Sequence, residues 1–258
     1  MKLAGNISML LLAVVLGSCT VMENKSTEEK KTSVRKVGMF EKIEMDAACS
    51  VVYTQGDATQ VKVVGSKEAL DQLETVVENN TLKLRHRLGK RLFGINRNVD
   101  ATVYVTTPDL TMVSIKGSGD FCSESRIDSD NFGLQLFGSG DVDIKDIICD
   151  DFAVELKGAG NVKVGKLQCT SSKLSIYGTG DMNVHHYKVA RCRLMIYGVG
   201  NMEASFDQCG KVSSHIFGTG NIELRGDVRS LERQIKGVGD IDADGLRVKG
   251  ENVVLKKG

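Results

Sequence analysis

The chain has 258 residues, with 34 Lys and Arg against 33 Asp and Glu, so its net charge is close to zero. This balance gives no general attraction for nucleic acid or for strongly acidic substrates. The 28 glycines lack a Gly-X-Y period, which excludes collagen and predicts many tight turns.

The N-terminus has the features of a secretory signal. Lys2 precedes an apolar run over residues 7–16, and small residues stand directly before Cys19. This pattern is typical of a signal peptide, and the run is short for a membrane span. The residues Leu16-Gly17-Ser18-Cys19 also resemble the lipobox of bacterial lipoproteins. We therefore predict a signal peptide over residues 1–18 and lipidation of Cys19, with an ordinary signal peptide as the alternative.

The segments after the signal are expected to differ in structure. Residues 19–36 are polar and charged without a hydrophobic period, which predicts a lipidated, flexible tether. Residues 37–115 are predicted to form an N-terminal β-rich cap with one short helix. That helix is expected over residues 67–76, because Leu70 and Leu73 recur at helical spacing. The expected strands cover residues 39–45, 49–53, 61–64, 81–85 and 99–106.

Residues 116–258 contain a repeat that decides the fold. The tetrapeptide Gly-x-Gly-Asp/Asn begins at seven glycines that are 21, 20, 20, 20, 20 and 19 residues apart. These glycines are Gly117, Gly138, Gly158, Gly178, Gly198, Gly218 and Gly237. Between them, apolar and polar residues alternate in short pieces, which is typical of strands with one buried face. A fixed period without room for a helix predicts a parallel β-solenoid.

We therefore expect an all-β fold, a right-handed parallel β-helix of about seven twenty-residue coils, with its exposed end covered by the cap. Equivalent residues would stack about 4.8 Å apart. Glycine is expected at each corner because it tolerates a positive φ. The Asp or Asn that follows can bond nearby backbone, which predicts a structural row along the corner. This corner row consists of Asp120, Asp141, Asn161, Asp181, Asn201, Asn221 and Asp240.

The cysteines of the repeats fit a buried column better than a disulfide framework. Cys149, Cys169 and Cys209 occupy the same position of their units, and Val189 occupies it in the fourth coil. The alternation with valine predicts an interior apolar column. Cys149 and Cys169 would lie on adjacent coils, so a bridge between them is the alternative, although stacked side chains seldom have disulfide geometry.

The order of motifs resembles a known family. It includes Phe40-Glu41-Lys42-Ile43, Gln55-Gly56-Asp57 and residues 80–84, followed by residues 103–110 and the Gly-x-Gly-Asp/Asn repeats. Over about residues 37–255 the chain is similar to the auto-transporter adhesin family with a head GIN domain, common among exported lipoproteins of Gram-negative bacteria. The resemblance implies a β-helical fold, an envelope or surface location and an adhesive role, and it brings no catalytic residues.

Three aromatic residues form the candidate ligand-binding site. Tyr177, Tyr197 and Phe217 each stand before a Gly-x-Gly and follow an inward residue, so they should point outward on adjacent coils. Such an exposed column suits stacking on sugar rings. The alternative is that the rings stack only on each other and stabilise the strands.

The sequence gives no sign of a metal or a catalytic centre. Stacked carboxylates in the corner row could bind calcium, but asparagines interrupt them and the period is about twenty rather than nine residues. The Asp150-Asp151 doublet could serve a carbohydrate-active enzyme, but such doublets usually lie on solvated surface. We expect no catalytic residue, no metal and no other cofactor.

The preferred function is that of a non-catalytic, exported lipoprotein that binds glycan or protein along the side of its β-helix. Its partners are expected to be the outer membrane, through the lipid on Cys19, and a surface ligand, without nucleic acid. The cell surface is the expected location, with the periplasmic face as the alternative. A structural or regulatory envelope protein and a carbohydrate-active enzyme are the rival functions, and the sequence leaves the oligomeric state open.

Overall fold

The computed structural model describes residues 30–87, 101–250 and 252–254. The predicted signal peptide (1–18), Cys19 and the tether up to residue 29 lie outside the described residues. Within them the chain forms one helix, α1 (Lys67–Gln72), and eighteen strands of one sheet. The strands are β1 (Lys31–Arg35), β2 (Lys42–Met45), β3 (Ser50–Gln55), β4 (Gln60–Gly65), β5 (Leu73–Glu78), β6 (Thr81–His86), β7 (Ala101–Thr107), β8 (Met112–Ile115), β9 (Phe121–Asp128), β10 (Asn131–Leu136), β11 (Val142–Leu156), β12 (Val162–Ile176), β13 (Met182–Tyr187), β14 (Arg191–Ile196), β15 (Met202–Ile216), β16 (Ile222–Ile235), β17 (Ile241–Val248) and β18 (Asn252–Val254).

The repeats form a parallel β-solenoid of about seven turns, which confirms the predicted fold class. Strands β11 and β12 show how one coil lies on the next. They pair in parallel through three segments, and the first joins 142–144 to 162–164. The second joins 147–149 to 167–169, and the third joins 151–156 to 171–176.

The apolar columns predicted from the repeat form the core. The residue that begins the strand after each corner is buried in all seven units. These residues are Phe121, Val142, Val162, Met182, Met202, Ile222 and Ile241. Burying a side chain of this size contributes roughly 1.5–3 kcal/mol relative to leaving it exposed, so the stacked columns supply much of the stability of the solenoid.

Close contact between coils is the main reason for glycine at the corners. A Cβ on Gly138 would overlap the backbone oxygen of Gly117 in the preceding coil, and a Cβ on Gly140 would overlap that of Gly119. Among the corner glycines, a positive φ occurs only at the second glycine of the last four units, for example 152° at Gly180. The prediction that each corner needs glycine for a positive φ is therefore wrong for the earlier corners. There glycine is needed because the neighbouring backbone leaves no room for a side chain.

The solenoid begins within the range predicted as the cap. Strands β2 and β3 pair in parallel with β8 and β9, so they form a rung beneath the first repeat. The amide of Val51 in β3 donates to the backbone oxygen of Asp120, 2.7 Å away, as equivalent residues do between later coils. Strand β4 pairs antiparallel with both β1 and β7 and so leaves the repeat pattern, whereas β7 also pairs in parallel with β3.

Two predictions about the N-terminal part are wrong. Residues 31–35, expected in the flexible tether, form β1 because the edge of β4 offers unpaired backbone groups, and such pairing needs no apolar side chains. The helix predicted over 67–76 ends at Gln72, because Leu73 starts β5, whose β-branched residues form a hairpin with β6. Asn79 and Asn80 make the turn of this hairpin with positive φ angles of 52° and 60°.

The cysteine column lies inside the solenoid as predicted. Cys149, Cys169, Val189 and Cys209 are all buried, and Cys149 lies in register with Cys169 on the next coil. Both are free thiols rather than a disulfide. A hydrogen bond from Cys149 and burial raise the pKa of the Cys169 thiol, so Cys169 stays protonated and packs as a small apolar group.

Candidate binding face

The three predicted aromatic residues form a continuous stack on the outside of the solenoid. The ring centroids of Tyr177 and Tyr197 are 4.9 Å apart with an interplanar angle of 2°. Those of Tyr197 and Phe217 are also 4.9 Å apart, at 5°. We call these three residues the aromatic column. The rings stack on each other, and each side chain nevertheless keeps between 37% and 42% of its surface exposed.

Lysines cover the two ends of the aromatic column. The ammonium of Lys157 lies 5.8 Å from the centre of the Tyr177 ring, and that of Lys236 lies 5.9 Å from the centre of Phe217. Both are within the range of a cation–π contact. Because the ring faces are occupied by neighbouring rings or by lysines, the column presents ring edges and the Tyr hydroxyls to solvent.

The aromatic column belongs to the main exposed apolar ridge of the described residues. Six of their eight exposed large apolar side chains lie at the Gly-x-Gly corner, either just before it or at its middle position. These six are Phe137, Tyr177, Tyr197, Val199, Phe217 and Val238. The three rings of the aromatic column are in direct contact, and an exposed apolar patch of this kind often marks an interaction site.

A groove of about 620 Å³ lies beside the ridge, on the strand face that leads into the corner. Tyr197 and Phe217 line one side of it. Four basic side chains and one acidic side chain line it as well, and we call the groove with these residues the basic groove. They are Lys173, Arg191, Arg193, Lys211 and Glu232.

The basic groove carries more positive than negative charge. Glu232 is the single carboxylate among its lining residues and pairs with Lys211 at 3.0 Å. The hydrogen bond from Lys211 lowers the pKa of Glu232, so this carboxyl stays ionised at neutral pH. Arg191 and Arg193 alternate with buried Cys192 on β14, so both guanidinium groups face the groove and are exposed.

Sequence reasoning found the aromatic column but missed the basic groove. Its cations come from three coils and occupy outward positions of the strand that precedes each corner. In register, Ser171, Arg191 and Lys211 form one row. Lys173 and Arg193 belong to a second row. The signal was the placement of basic residues at these outward positions of consecutive units, which becomes visible once the register is known.

The corner row lies on the other side of the ridge, and its side chains bond the next coil. The Asp141 amide donates to Oδ1 of Asp120 at 2.9 Å, and the Asn161 amide donates to Oδ1 of Asp141 at 2.8 Å. The same bond continues through Asp181, Asn201 and Asn221 to Asp240. Each side chain therefore satisfies a backbone donor of the following corner.

No group of three or more His, Cys, Asp or Glu side chains in the described part of the chain could hold a metal ion. Asparagines interrupt the corner row from Asn161 onward, and the carboxylates of Asp120, Asp141 and Asp181 each accept a hydrogen bond from a backbone amide. Over the same residues, no helix is long and apolar enough to cross a membrane.

Two overlapping segments of the chain, residues 39–208 and 172–256, match the family model described as "Putative auto-transporter adhesin, head GIN domain". The chain belongs to this family. The match spans the cap and every repeat, so the adhesin-family assignment rests on the same residues that build the solenoid and its corners. Comparison with curated proteins gives no match.

Solved structures share the fold. A protein from Bacteroides fragilis described as a "putative adhesin" has a TM-score of 0.75 at 24% identity, over 84% of this chain and 97% of that one. A "putative lipid binding protein" from Parabacteroides distasonis gives 0.64 at 19%, over 89% and 98%. A "putative adhesin" from the same species gives 0.63 at 16%, over 84% and 97%. At these identities the likeness shows a common fold.

Proposed function

We propose that the protein is an exported lipoprotein, anchored in the outer membrane through Cys19, that works at the cell surface as an adhesin. The face formed by the aromatic column and the basic groove binds a glycan or a protein. The observation that carries this proposal is the clustering of exposed apolar side chains along one corner, directly beside a groove. Membership of an adhesin family supports the same role.

The chemistry of the groove supports binding rather than catalysis. Glycoside hydrolysis uses two carboxyl groups that flank the scissile bond, and one of them must stay protonated. Glu232 is the single carboxylate among the lining residues, and Lys211 keeps it ionised. Asp150 and Asp151, the doublet noted in the sequence, do not line this groove and are exposed.

The test of this function is adherence of cells that display the protein with Tyr177→Ala and Tyr197→Ala together. Removing two of the three rings deletes the centre of the ridge, and loss of such aromatic anchors commonly weakens binding by roughly tenfold or more. We expect adherence to immobilised glycans and host-matrix proteins to fall accordingly. Surface amounts of each variant are matched by antibody staining.

The matched control is Tyr187→Ala. Tyr187 is a partly exposed tyrosine with lysines over its ring, as in the aromatic column, but it lies on β13, away from the groove. Its removal should leave adherence unchanged. If the double variant keeps its fold and adheres as well as the control, the face is not the adhesive surface and the proposal is overturned.

A further inference from the structure

We infer that the basic groove binds the oxyanion, a carboxylate or a sulfate, of an acidic glycan. This inference rests on the proposed function and names the class of ligand. Among the charged side chains that line the groove, four are basic and one is acidic. The chain as a whole is nearly neutral, so this local excess of positive charge is a property of the face and not of the composition.

The arginines provide the specific contacts. No ion pair within the described residues engages Arg191 or Arg193, whereas Lys211 is already held by Glu232. The two arginines are two residues apart on one strand, which separates their Cα atoms by about 6.6 Å. Guanidinium groups bind carboxylate and sulfate oxygens through paired, charge-assisted hydrogen bonds. Lys173 lies on the preceding coil in register with Arg193 and adds a third positive charge.

The neighbouring groups suit a sugar. Tyr197 and Phe217 line the same groove as the arginines and expose ring edges, against which the apolar face of a sugar ring can pack. Ser213, His215 and Gln234 also line it and supply hydrogen-bonding groups. Protein sites for small ligands combine apolar walls with a few polar groups in this way.

A flat polyanion fits this face poorly. The ridge of Tyr197, Val199 and Phe217 separates the basic groove from the corner row, which presents the carboxylates of Asp141 and Asp181 on exposed residues. A membrane surface or a nucleic acid duplex that lay across the ridge would meet negative charge on its far side. A single glycan chain that follows the groove avoids these carboxylates.

The test titrates the purified mature protein with a polyuronate, with dextran sulfate and with neutral dextran. We expect binding of a charged polymer and not of neutral dextran, with affinity that falls as salt is added. Preference for the polyuronate or for dextran sulfate identifies the oxyanion. Arg193→Glu should weaken that binding by roughly tenfold or more, because it removes a paired contact and reverses the charge. Arg193→Lys should retain part of the affinity.

The control is Lys249→Glu, which makes the same charge change at an exposed residue of the last coil outside the groove. Equal binding by Arg193→Glu and Lys249→Glu would overturn the inference. The inference would also be overturned if anionic phospholipid vesicles or DNA bound more tightly, through Arg193, than either charged polymer.

If Arg193→Glu cells adhere normally while the Tyr177→Ala, Tyr197→Ala cells do not, the inference fails and the proposed function stands. If both variants adhere normally, the proposed function fails as well.

Discussion

At the scale of single residues, His186 is an ionisable side chain that lies fully buried in the core of the solenoid. Its ring stacks on Phe206 at 4.9 Å between centroids. Its Nε2 lies 3.3 Å from the hydroxyl of Ser172 and 3.4 Å from the thiol of Cys192. Burial lowers the pKa of His186 to about 4, from an ordinary value of 6.5, with a smaller contribution from His185. Between pH 6.5 and about 4, the folded protein therefore keeps this side chain neutral, whereas an unfolded chain would protonate it.

This shift predicts a loss of stability in acid. Between pH 6.5 and about 4, the unfolded chain binds a proton at His186 that the folded protein excludes, so stability is complete above 6.5 and declines as the pH falls. The decline due to this residue should approach about 3 kcal/mol near pH 4. The substitution His186→Phe places an uncharged ring like that of the stacked Phe206, and it should remove this contribution to the pH dependence of stability. Denaturant unfolding from pH 7.5 to 4.5 measures the difference.

The control for this prediction is His86→Gln, at an exposed position at the end of β6. It should unfold with the pH dependence of the wild type. If His186→Phe also keeps the wild-type slope between pH 6.5 and 4.5, burial of the neutral histidine is not a source of the acid sensitivity.

At the scale of elements, the corner row links each coil to the next. Oδ1 of Asp141 accepts both the backbone amide of Asn161, at 2.8 Å, and its side-chain amide, at 3.1 Å. Asp141→Ala leaves both donors without this acceptor and should lower the unfolding free energy by about 1 kcal/mol. Asp141→Asn keeps an oxygen in place, as Asn161 does for Asp181, and should cost less than half as much. Chemical denaturation measures both.

Asp143→Ala is the matched control. Asp143 follows Asp141 by two residues, and its carboxylate makes an exposed ion pair with Lys163 on the next coil. Exposed pairs of this kind contribute little, so the loss should stay below about 0.5 kcal/mol. Equal losses from Asp141→Ala and Asp143→Ala would show that the row does not stabilise the corner.

The sequence predicts the solenoid well because one local pattern repeats. The spacing of the glycines gives the coil length, and alternation gives the buried columns and the outward direction of Tyr177. Alternation does not reveal which outward residues become neighbours, and for this reason the basic groove around Arg193 was missed. The helix boundary at Gln72 depends on the pairing of β5 with β6, a tertiary contact that helical spacing cannot show.

At the scale of the whole molecule, the solenoid is a linear scaffold that displays equivalent positions of successive coils in rows. Parallel pairing fixes Tyr177, Tyr197 and Phe217 about one strand spacing apart, and the ring distances of 4.9 Å agree. A surface built on such a scaffold needs no rearrangement to bind an extended ligand, which limits the entropy lost on binding. The architecture therefore suits an adhesin that presents one side of its solenoid outward.

The location of the mature protein is the most direct test of this account. An antibody against the solenoid should stain intact cells as strongly as cells with permeabilised outer membranes, while a periplasmic marker is stained only after permeabilisation. This result is expected for a lipoprotein whose binding face meets external ligands. Staining that appears only after permeabilisation would place the solenoid in the periplasm, contradict the adhesin account and favour a structural or regulatory role in the envelope.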